Sequence, residues 1–389
     1  MQRRATALQK TAEKEVREYT YYNEKLTQES YAGGDVYNDE VTGDKIQRWE
    51  LPSTEDRPYL SHIKNLSRIW PSLRLLADFM EIGTSPVRWS NMEKQSPRQR
   101  AAERRERASR ATITRLEYSP SGIIPQEYNT ILDLRKALND ELQESEANKG
   151  RFRLYIVEDL SRDVIELLGG HYDIEPAFFR EQIFDYAWYN LRDRWFDPPR
   201  LKVTTKNQRW LQLRFPTIRY YKTAEEFTRG SAEYENFNVY RRHEDDINNT
   251  SKWDDKNAKV GLARSRVSLW LSGEGRAGKA SGSVGILLCD PTPKCGRPLW
   301  YGYRNWSDTP SMSSKERLEG PPRTSRSIYH DLVYWSQVND TSDSPLSTSH
   351  IKKLKAVESV QIPIQGLLRL LSAEWVEVSE YICWYERYS

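Results

Sequence analysis

The spacing of apolar positions changes several times along the chain, and each change marks an element. WLQLRF at 210–215 alternates with period two, placing Leu211, Leu213 and Phe215 on one face, which predicts a strand. Pro216 directly after it predicts a bulge or an edge position. FRLYIV at 152–157, RVSLWL at 266–271 and SVGILLC at 283–289 read as further strands, joined by FNVY at 237–240 and LWYGY at 299–303. Ile113, Leu116 and Tyr118 suggest a first strand, and Ile131–Leu142 a helix after it. A short apolar helix is expected over 70–81, with Pro71 just inside its start, and further helices over 325–338 and 348–360. From Ile364 the apolar residues fall at Leu368, Leu371, Trp375, Val378, Ile382 and Tyr385. The steps alternate between four and three, the rhythm of a long stalk-like helix.

Helices at both ends around several central strands predict an α/β sandwich with a mixed sheet. We divide the chain into a polar N-terminal extension over 1–110, an α/β domain over 111–345, and C-terminal helices over 346–389. The extension begins with a polar helix or arm over 1–30. It ends in the arginine-rich stretch 92–110, read as a flexible linker or a solvated helix. Residues 304–323 and 339–349 read as polar surface insertions.

Composition narrows the function. Mean hydropathy is −0.82, yet 13 Trp and 23 Tyr, most of them after residue 150, imply a real core in the second half. The 59 basic and 56 acidic residues leave a net charge of +3, too balanced for a dedicated nucleic-acid binder. Three cysteines are too few for a disulfide framework and fit a reducing, cytoplasmic compartment. The N-terminus has no apolar signal core, and no run approaches the ~20 apolar residues of a membrane helix.

Several motifs come close to a chemistry and miss it. GEGRAGKAS at 273–281 nearly spells a phosphate-binding loop, but Ala280 stands where a hydroxyl should reach Mg²⁺, and a strand rather than a helix follows. A glycine-rich hairpin loop is expected there. Cys289 and Cys295 lack two further zinc ligands nearby, and His330-Asp331 lacks a nucleophile. No nucleophile elbow or dinucleotide fingerprint is present, so the chain reads as a non-enzyme.

The sharpest block is RLYIVEDLSRDVIELLGGHYDIEPAFFREQIFDYAWYN at 153–190. A strand ends at Glu158-Asp159, and Ser161 is placed to cap a helix that carries Asp163 in its first turn. Gly169-Gly170 is expected to end that helix. Asp173 or Glu175 should cap the next, with Pro176 near its start and Phe179, Ile183 and Tyr186 on one side. An aromatic group follows at Trp188, Tyr189 and Trp195.

This block resembles the cytosolic domain of CorA-like magnesium transporters, most closely the fungal CorA-like set. YDIEPAFFREQI at 172–183 matches the family's proline-containing segment, with Pro176 on its proline and Glu175 where His is common. Asp193-Arg194-Trp195-Phe196-Asp197-Pro198-Pro199 matches a later segment. The likeness is strongest over 151–221, agrees in element order to 389 and does not cover 1–110. It implies an αβα sandwich followed by a long C-terminal stalk-like helix that leads toward a membrane. Glu181 falls on the acid that helps some members form a regulatory divalent-cation site between subunits, so Glu181 is the candidate metal ligand and Mg²⁺ the candidate cofactor. Asp159, Asp163 and Asp185 are the nearby acids. The family's Gly-Met-Asn signature and paired membrane helices are absent from these residues. The expectation is therefore a regulatory cytosolic-side domain, unable to conduct ions by itself, that forms homo-oligomers through its terminal helix. The alternative is a non-transporting interaction or scaffold protein that captures protein partners.

Overall fold

The computed structural model describes residues 57–67, 69–70, 73–83, 96–119, 122–143, 151–184, 208–241, 243–245, 257–272, 283–298 and 327–337, with a few helical positions between 367 and 379. Among the described residues three helices come first: α1 (Pro58–Ser67), α2 (Arg74–Ile82) and α3 (Pro97–Ala108). They are followed by β1 (Arg110–Ser119), β2 (Gly122–Thr130), α4 (Ile131–Leu142), β3 (Phe152–Glu158), α5 (Arg162–Tyr172) and α6 (Pro176–Ile183). Then come β4 (Trp210–Tyr221), α7 (Ala224–Asn236), β5 (His243–Asp245), β6 (Lys259–Leu271), β7 (Ser283–Cys289) and α8 (Ile328–Gln337).

The strands form one seven-stranded mixed sheet in the order β2-β1-β3-β7-β6-β4, with β5 also on β6. Among the described strands only β3 and β7 run parallel, in register from Phe152–Ser283 to Glu158–Cys289. Both are buried along almost their whole length, which explains why their sequences are nearly unbroken apolar runs. Period two divides their side chains between two cores. Tyr155, Val157, Ile286 and Leu288 face one core with Leu168 of α5 and Phe179 of α6. Leu154, Ile156 and Leu287 face the other, where Leu332 of α8 packs with Leu367 and Leu371.

Packing does not break at residue 110. Tyr59 and Leu60 of α1 and Leu76 and Phe79 of α2 belong to the first core, though both helices lie in the stretch read as a polar extension. Glu166 of α5 caps α1 from outside, its carboxylate accepting the N–H groups of Tyr59 (2.8 Å) and Leu60 (2.9 Å). Of the two readings of 92–110, the described part takes the helical one: α3 opens on a Ser96–Gln99 capping box with Pro97 in its first turn. Its far end is docked, because Arg107 is buried and donates to the Asn236 carbonyl at 2.7 Å.

Several local expectations change. Ser161 does sit at the N-cap of α5, but its hydroxyl donates to the Arg110 carbonyl (2.6 Å) and ties the helix to β1. Gly169-Gly170 does not end α5, which continues to Tyr172 and closes on Asp173 at φ 51°. Gly169 is there for close approach, since a Cβ would collide with the Tyr59 ring. Glu175 is the N-cap residue of α6 but makes no cap bond; it accepts from Arg209 and from Trp270 Nε1 (2.7 Å each). FNVY at 237–240 is not a strand, because Asp159 takes the N–H groups of Asn238 and Val239. Pro216 lies in β4, an edge strand, and pairing with β6 runs through it without a bulge. The arm 1–30, LWYGY at 299–303, the loop 273–281, the insertions 304–323 and 339–349, the helix over 348–360 and most of the terminal helix lie outside the described residues. Of its stripe, Leu371 is buried in the second core, whereas Leu368 and Trp375 are half exposed.

Candidate functional site

Polar groups collect where β3 and β7 end together, the edge at which open α/β sheets commonly bind ligands. The apolar runs stop at Glu158 and Cys289, and each is followed by an aspartate. Asp159 turns the chain at φ 52°, accepting from Asn238 N–H at 2.7 Å. Asp290 stays buried and meets Arg241 through two bonds, Nε to Oδ2 at 2.6 Å and Nη2 to Oδ1 at 3.1 Å. Gln182 Nε2 and the Arg266 N–H each add a donor at 2.8 Å. Gln182 Oε1 accepts in turn from Ser268 (2.7 Å), so the end of α6 is locked to β6 and β7.

This lock places Glu181, the residue singled out from the sequence. Its side chain is mostly buried and pairs with Arg180 at 2.7 Å. Its backbone carbonyl accepts from Gln212 Nε2 (2.7 Å) and Arg266 Nη1 (2.8 Å). Both guanidiniums lie over the Phe184 ring, at 4.6 and 5.3 Å, so cations of the chain already surround the position. Asp163 pairs with Arg162, Asp159 caps the 238–239 turn, and Asp185 lies outside the described residues. Among the described residues no three His, Cys, Asp or Glu side chains converge to hold a metal.

Glu158 is the group at this edge that sequence reasoning passed over. Burial, reinforced by the adjacent Asp159 charge, pushes its carboxyl up to about 7, against a backbone N–H from Thr292 and the charge of Lys294. It points to the side of α8, where Tyr329 and Thr114 share a hydroxyl–hydroxyl bond of 2.7 Å. Burial also raises the Cys289 thiol well above its ordinary value, which makes it an inert neighbour. The edge can therefore exchange a proton near neutrality, but it presents no activated nucleophile among the described residues. An acid closing a buried apolar strand was the available signal.

Two of the described histidines have structural roles. His330 Nδ1 is 2.7 Å from Ser327 Oγ at the start of α8. His243 stacks between Phe227 and Tyr234 (4.7 Å each) and meets Ser231 and Tyr221 through its two nitrogens. Burial pushes its pKa down to about 4, so the ring is neutral at ordinary pH. Compared with known proteins, the chain matches no family model, no curated protein and no solved structure.

Proposed function

We propose that this chain is a regulatory domain of the CorA-like divalent-cation transporter type, with an αβα sandwich and a stalk-like terminal helix, acting at the cytosolic face of a membrane. The single observation that carries this reading is the architecture: a seven-stranded mixed sheet with an apolar core on each face, followed by helical residues whose Leu367 and Leu371 pack on the second core. The resemblance of the 153–190 block to that family implies an αβα sandwich, and a mixed sheet with a core on each face supports this reading. No helix among the described residues is long and apolar enough to cross a membrane.

Within this reading Glu181 serves as a carboxylate ligand for Mg²⁺ shared with a neighbouring copy. The Arg180 ion pair sets its strength, because the cation has to displace a guanidinium held at 2.7 Å. Binding is therefore expected in the millimolar range, and Glu181→Ala should weaken it several-fold. Calorimetric Mg²⁺ titration of the folded chain, with sedimentation to follow assembly, tests both points. No Mg²⁺ heat and no change of assembly in the folded parent would remove the regulatory-cation reading and leave the scaffold alternative.

A further inference from the structure

We draw no further inference here: the strongest candidate, the start of α5 just past the end of β3, where the Ser161 hydroxyl donates to the Arg110 carbonyl instead of capping the helix, is a helix N-terminus alone, and nothing among the described residues points to a ligand there.

Discussion

The two buried polar centres of this sheet use the same residue types and balance them differently. Around Asp290 one carboxylate meets Arg241, Gln182 and the Arg266 N–H, while the remaining Arg241 donors reach the backbone of Gln182 and Phe184. Around Glu141 two carboxylates meet three arginines and two tyrosines, and donors remain over. The first centre is complete within the chain and reads as a lock that fixes α6 on the sheet. The second leaves the buried Tyr128 hydroxyl and Arg115 Nε without a hydrogen-bond partner. Completeness of hydrogen bonding, rather than the number of charges, separates the two centres.

The largest effect should come from breaking the complete centre. Arg241→Ala strands the buried Asp290 charge and should cost about 3–5 kcal/mol in urea unfolding, enough to loosen α6 from the sheet. A loss under 1 kcal/mol would show that the lock is dispensable and that the contrast between the centres is false. Glu141→Gln should cost less, about 2–3 kcal/mol, by replacing an acceptor with an amide in a centre already short of acceptors.

The smallest effect sharpens the comparison with a carboxyl that belongs to neither centre. The Glu158 pKa rises from 4.5 to about 7 on folding, so between those values the folded chain holds a proton that the unfolded chain has released. Its contribution is full below pH 4.5 and is lost as pH rises through 7. Glu158→Gln should flatten that slope and raise stability at pH 8 by about 1–2 kcal/mol, read from unfolding midpoints across pH. An unchanged slope would mean that the carboxylate is solvated in place.

Much of the frame was legible. Ile131–Leu142 and SVGILLC were bounded correctly because a threonine cap and a burst of buried aliphatics leave little choice. The role of 58–108 was not legible, since α1 buries only Tyr59, Leu60 and Ile63 among its larger apolar side chains, and α3 is held by arginine bonds rather than by an apolar stripe. FNVY failed because Asp159, some 80 positions away, competes for its N–H groups. Glu181 stood out as an acid at a familiar place, but no local pattern announces its pairing to Arg180. The Glu141 centre was invisible because its members come from five separate elements, β1, β2, α4, β3 and α5, which only the fold brings together.

The outer edge of β4 carries a further consequence. Tyr220 spends both its N–H and its C=O on Arg297 across that edge, at 2.8 and 3.0 Å. Residues of the same parity, including Pro216 and Ile218, turn their backbone the same way, and Pro216 has no donor to offer. The edge is thereby cut into fragments too short to template another strand. Sheet extension by a second copy is disfavoured on this side, which leaves β2 as the sheet edge where another strand could add.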